Sequence, residues 1–164
     1  MMKRIPLREM LTLTMMGVLM SLGKWVLQGL PNIEIVSLLI MVCAYKFRWK
    51  TLIPIYIFVG LEFVQYGPSV WNIMYIYVWA VLLLMVLPLR RIRAPWVFAL
   101  VSGGFGMCFG VLCSIPYIFA FGWQFALSWV ISGLSFDALH GAGIFVAALM
   151  LYVPLTKALD KIAK

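Results

Sequence analysis

The sequence predicts an all-α, polytopic membrane protein of six transmembrane helices with both termini cytoplasmic, and three observations predict it. Hydrophobic residues make up 65% of the 164 and charged residues 11%, where a soluble domain carries about 25% charged residues. Six apolar runs follow one another, each bounded by charge, Pro or Gly. Twelve of the 13 Lys and Arg residues fall into four clusters of three, Lys3/Arg4/Arg8, Lys46/Arg48/Lys50, Arg90/Arg91/Arg93 and Lys157/Lys161/Lys164, leaving only Lys24 outside. Positive charge is retained on the cytoplasmic side during insertion, so the four clusters share that side. Six spans of about 20 residues use about 120 residues, which makes residues 1–164 a single domain with almost no aqueous part. The net charge of +8 on a soluble chain would suggest a nucleic acid; its placement at span ends points instead to the bilayer of the cell membrane, and no nucleic acid is expected as a partner.

The first span, residues 9–30, follows Lys3 and Arg4 as a secretory signal would, but lacks a small-x-small cleavage site and is read as a retained helix. Gly17 and Ser21 make one small-xxx-small step in it. The second and third spans, residues 33–45 and 52–66, are short: 13 residues rise about 20 Å against a hydrocarbon core of about 30 Å. With the inner ends fixed by the basic clusters, the shortfall falls outside, where the turns around Leu30–Asn32 and Tyr66–Ser69 dip below the headgroups. Irregular backbone at that depth is tolerated only where protein buries it or water reaches it. An outward-facing cavity roofed by two loops is therefore expected.

The fourth span, residues 71–89, places Asn72, Tyr75 and Trp79 at i, i+3 and i+7 on one polar-aromatic face, with Met74, Val78, Val81 and Leu82 pointing elsewhere. Trp79 lies about 12 Å below Trp71, too deep for an interfacial belt alone. With Trp25, Tyr66, Tyr117 and Trp129 in the outward half, these residues describe an aromatic pocket suited to a flat, partly polar ring. The competing reading is an interfacial belt. The fifth span, residues 95–121, carries the small stripe Ser102, Gly106, Gly110 and Ser114, and the sixth, residues 124–153, carries Gly133, Asp137 and Gly141, so helices approach closely there.

Ionisable residues inside spans are costly and are candidates for function. Glu62 lies about 16 Å above Thr51, and Lys24 about 22 Å above Glu9. With Glu34 they form either a ligand site or an ion pair tying the outer loops together. Asp137 and His140, at i and i+3, share a helix face. They are read as a structural hydrogen-bond pair closing helix contacts across Gly133 and Gly141, with a proton relay, ligand contact and a metal site as alternatives. Cys43, Cys108 and Cys113 are an odd set within apolar runs and read as packing residues. No nucleotide-binding loop, catalytic triad or paired-carboxylate motif can be placed, so neither an enzyme nor a bound cofactor or metal is expected, and energy from nucleotide must come from a partner.

The run Leu30-Pro31-Asn32-Ile33-Glu34-Ile35-Val36-Ser37-Leu38-Leu39, the segment Gly60-Leu61-Glu62-Phe63-Val64-Gln65-Tyr66-Gly67, the stretch Tyr75-Ile76-Tyr77-Val78-Trp79, and the segments Cys113-Ser114-Ile115-Pro116-Tyr117 and Phe136-Asp137-Ala138-Leu139-His140 resemble the substrate-binding (S) components of energy-coupling factor (ECF) transporters. The resemblance covers nearly the whole chain and is closest to a subgroup without an assigned substrate. It implies six membrane helices with both termini inside, a vitamin or related micronutrient bound near the outer face, and the loops after the first and third helices as a lid. It also implies a transmembrane coupling subunit and two cytoplasmic ATPase subunits as partners, with toppling of the S component delivering the ligand. Candidate substrate-binding residues are then Lys24, Trp25, Glu34, Glu62, Asn72, Tyr75, Trp79, Tyr117, Asp137 and His140. Many members dock the coupling subunit through Ala-xxx-Ala on the first helix, for which Gly17 and Ser21 are the nearest match. A non-transport structural membrane protein of the same six-helix shape is the reading from a different class, and an intramembrane enzyme using Asp137 and His140 lacks the necessary further groups.

Overall fold

The computed structural model describes residues 5–30, 32–92 and 94–163; Lys3, Arg4, Pro31, Arg93 and Lys164, which belong to the basic clusters and to the first expected outer turn, lie outside the described residues. The described residues form helices and connecting turns, with no strand among them. Helix α1 spans Leu7–Val26, α2 Val36–Phe47, α3 Leu52–Tyr66, α4 Val70–Val86, α5 Pro95–Met107, α6 Phe109–Phe121 and α7 Trp123–Ile162, with short 3-10 turns at Leu27–Gly29, Arg48–Thr51 and Leu87–Leu89.

Four stretches, Leu7–Gly29, Val70–Leu89, Pro95–Phe121 and Trp123–Ile162, are long and apolar enough to cross a membrane. Their outward faces carry Leu11, Met15, Ile76, Leu100, Phe119 and Leu134, all exposed. Apolar surface on this scale belongs against lipid rather than water, and the chain is a membrane-embedded helical protein. Helices α2 and α3, of 12 and 15 residues, rise only about 18 and 22 Å. Shortness is compensated in α2 by position: every residue from Val36 to Ala44 is buried, and the helix packs against α1, α4 and α7. A helix that is apolar all round is stable where protein surrounds it.

The expected fifth span, residues 95–121, is one stretch long and apolar enough to cross a membrane, but the chain turns within it at Cys108, between α5 and α6, and the helix of the expected sixth span, α7, runs through Pro154 to Ile162, well past Val153. At 40 residues α7 rises about 60 Å, longer than a whole bilayer, so one end must project. The small-residue stripes meet across this seam. Ser102 donates its hydroxyl to the carbonyls of Ala99 and Ile144, and a Cβ on Gly106 would lie 2.7 Å from the Cα of Gly141.

Two ion pairs gather one end of the bundle. Lys50 reaches Glu9 at 2.8 Å and Lys46 reaches Asp160 at 2.7 Å, while Ile92 sits beside Tyr152 and Asp160. The start of α1, the α2–α3 turn, the α4–α5 connection and the end of α7 therefore lie together, with the described members of the basic clusters among them.

Candidate ligand-binding cavity

At the other end, the last turn of α1, residues 27–30 and 32–34, and the facing parts of α4, α6 and α7 enclose a cavity of about 600 Å³. Ligand sites for small molecules run from about 300 to 1,000 Å³. Seven aromatic rings line it, Tyr66, Trp71, Tyr75, Trp79, Phe109, Trp129 and Phe136. Neighbouring rings pack together: Tyr75 meets Trp79 edge-on at 5.3 Å between centroids, and Trp79 lies 5.7 Å from Phe109 and Trp71 6.4 Å from Trp129. Trp79 is 2% exposed, yet its indole N–H has no hydrogen-bond partner among the described residues. The cost of an unpaired buried donor is carried here by the packed ring cluster around it.

Ionisable groups enter from separate elements. Lys24, near the end of α1, pairs with Glu62 of α3; its ammonium lies 4.9 Å from the Tyr75 ring centroid and 5.1 Å from that of Tyr66. Glu62 does not itself line the cavity but backs Lys24 from beneath, 1% exposed. Glu34 accepts the Ser37 N–H at 2.9 Å, satisfying a free donor in the first turn of α2. Its other oxygen lies 3.5 Å from Nε2 of His140, whose ring stands edge-on to Phe109 at 4.9 Å.

The break at Cys108 has a chemical counterpart here. Gly110, in the first turn of α6, donates its N–H to both oxygens of Asp137, at 3.1 and 3.0 Å. A helix N-terminus presents free N–H groups and partial positive charge, which a carboxylate satisfies. A Cβ at position 110 would strike that carboxylate, so glycine is required for the approach. Asp137 and His140 thus do not pair with each other as expected. Neighbours on one face, they reach in different directions, to α6 and to the segment before α2.

Of the expected binding residues, Lys24, Glu34, Tyr75, Trp79, Asp137 and His140 line the cavity, and Glu62 touches it through Lys24. Asn72 shares the inward face but is otherwise engaged: its amide donates to the carbonyl of Gly67 at 2.6 Å and of Glu62 at 3.4 Å. That clamp holds the α3–α4 turn, where Gly67 adopts φ +73°, a conformation glycine enters without strain. The inward face of α4 is also wider than expected, since Met74, Val78 and Leu82 are buried too. Tyr117 lies behind the cavity, 4.6 Å from Trp129 between centroids, and Trp25 is 59% exposed, pointing away. Gly17 faces α3, where an added Cβ would lie 2.8 Å from Ile57 and from the Pro54 carbonyl, and the Ser21 hydroxyl is buried. This step is occupied within the chain by α3, and is not a free docking face.

Tyr66 and Trp129, expected in the aromatic pocket, also line the cavity, and so do Trp71, Phe109, Ser132 and Phe136, which were not expected there. Phe109 carries no signal in an apolar run; only the turn at Cys108 directs it inward. Among the described residues no three His, Cys, Asp or Glu side chains converge on a point suited to a metal ion. Compared with models of known protein families, with curated proteins and with solved structures, the chain matches none.

Proposed function

We propose that this chain is the substrate-binding component of an energy-coupling factor transporter in the cell membrane, taking up a vitamin or related ring-containing micronutrient with a transmembrane coupling subunit and two cytoplasmic ATPase subunits. The observation that carries the reading is the aromatic cavity of about 600 Å³ at the end of the bundle opposite the basic clusters. Positive charge is retained inside, so this polarity turns the cavity outward, with both termini cytoplasmic and α2 and α3 completing six crossings. Residues 27–30 and 32–34 and the turn at Gly67–Ser69 then form the lid. The occupied Gly17–Ser21 step moves docking of the coupling subunit to the lipid-exposed face of α1, where Leu11, Met15 and Leu22 lie.

Purification of the tagged chain from its native membrane in mild detergent tests the proposal. The expected result is recovery of a membrane subunit and two ATPases, with a small ring compound released on denaturation. Recovery of the chain with neither would overturn the transport reading and favour a structural role.

A further inference from the structure

The cavity lining and the group behind it hold an excess of negative charge, and we infer that the occupant is a cation: a flat, singly charged nitrogen ring. The inference rests on the reading of the cavity as a ligand site and adds the charge of what it binds.

Four ionisable residues line the cavity, Lys24, Glu34, Asp137 and His140, and Glu62 stands directly behind Lys24. One positive charge against three carboxylates leaves −2 with His140 neutral and −1 with it protonated. The start of α6 offsets about half a charge at Asp137, so the balance is negative in either state. Within a membrane bundle an uncompensated charge is expensive. The lone lysine offers no relief, because it is committed to Glu62.

A cationic ligand restores the balance, and the walls suit one. Seven aromatic rings line the cavity, and a ring's π face attracts a cation placed within about 6 Å of its centroid. Lys24 already occupies such a position over Tyr75 and Tyr66, at the edge of the space, leaving Trp71, Trp79, Phe109 and Trp129 for the occupant. An anion would meet Glu34 and Asp137 with no free cation opposite. A neutral ring would leave the charge balance unchanged.

Three near-isosteric probes separate these cases: 1-methylnicotinamide, a cation with a carboxamide acceptor; nicotinamide, its neutral counterpart; and nicotinate, an anion. In calorimetric titrations of the purified full chain in detergent, 1-methylnicotinamide should bind at least about tenfold more tightly than nicotinamide, with nicotinate weakest. Glu34→Gln with Asp137→Asn keeps both hydrogen-bond acceptors and should remove most of that preference, while Trp79→Phe should weaken the cation severalfold. Thermal unfolding of each variant identifies any loss that comes from misfolding, and in that case the preference of the unaltered chain decides. Equal affinity for the three probes, preference for nicotinate, or no binding of the cation at millimolar concentration would overturn the inference. Its failure is distinct from that of the transport proposal: cation selectivity without partner ATPases leaves the cavity chemistry standing, and ATP-driven uptake of a neutral or anionic compound overturns only the charge assignment.

Discussion

The two halves of α7 show how one helix can both close a bundle and hold it open. From Gly141 onward its inward residues are Ile144, Ala148 and Tyr152, all buried, and Tyr152 stacks on Phe98 of α5 at 4.0 Å. Gly106 and Gly141 let the two backbones approach so closely that neither position has room for a Cβ. Before Gly141 the same helix buries little more than Ala126, Asp137 and His140, and a Cβ on Gly133 would meet nothing within 4 Å. Small residues thus have opposite effects along one helix. Glycine opposite glycine makes a seam, whereas glycine opposite aromatic rings leaves a cavity, and what holds the open half in place is polar: Asp137 on the N-terminus of α6, and His140 facing Glu34.

The strongest test of this contrast removes a charge from the open half. Lys24→Met leaves Glu62, whose side chain is 2% exposed, without its partner, and breaking a buried pair in this way costs about 3 to 5 kcal/mol. Glu62→Gln should cost much less, since the Lys24 side chain is 27% exposed and can reach solvent or headgroups. Chemical denaturation in mixed micelles measures both, and equal losses would show that Glu62 finds another partner. In the closed half, Gly141→Leu places its Cβ 2.8 Å from the Gly103 carbonyl, a backbone atom that cannot rotate away. A loss of about 1 to 3 kcal/mol or more is expected. The matched change Gly133→Leu should leave stability within about 0.5 kcal/mol, as for substitutions away from packed positions.

How far this contrast could be read from the sequence depends on the range of the interactions that make it. The small stripes in the fifth and sixth spans are local patterns, and they do meet: Gly106 lies against Gly141 and Gly110 against Asp137. Lys24 and Glu62 are legible as a rare lysine and glutamate in the outer half, with an ion pair and a ligand site both left open by the sequence. The turn at Cys108 was not legible, because a run so apolar and glycine-rich reads as one span; the acceptor that stabilises the new helix end comes from Asp137, 27 residues away. Rotation about a helix axis was the other blind spot. Trp25 and Lys24 are adjacent, yet one faces outward and the other the cavity, and the small size of Gly17 and Ser21 indicates a close neighbour without saying whether it is α3 or another subunit. Asn72 was placed on the correct face, but its donors are taken by carbonyls of an irregular turn that no periodicity describes.

A smaller effect sharpens the account of the break. Asp137→Ala should leave the Gly110 N–H without an acceptor, at about 1 to 3 kcal/mol, and Asp137→Asn should recover most of the loss because an amide oxygen still accepts. Denaturation of both variants checks this; equal destabilisation would show that the carboxylate charge, rather than the hydrogen bond, holds the start of α6. A small effect also belongs to the basic end. Lys50 is 45% exposed in its pair with Glu9, and exposed pairs contribute about 0 to 1 kcal/mol, so Lys50→Ala should change stability by less than Lys24→Met, Gly141→Leu or Asp137→Ala.

The central claim, that the open half of α7 exists to admit a small molecule, is tested most directly by native mass spectrometry of the chain purified from its own membrane, compared with Gly133→Phe. Gly133 lines the cavity and has open space before it, so a phenyl ring there fills the cavity without disturbing the packed seam. The account expects a non-covalent small-molecule adduct on the unaltered chain and its loss from the variant at unchanged thermal stability. An adduct of the same mass and occupancy on both, or none on either, would contradict it.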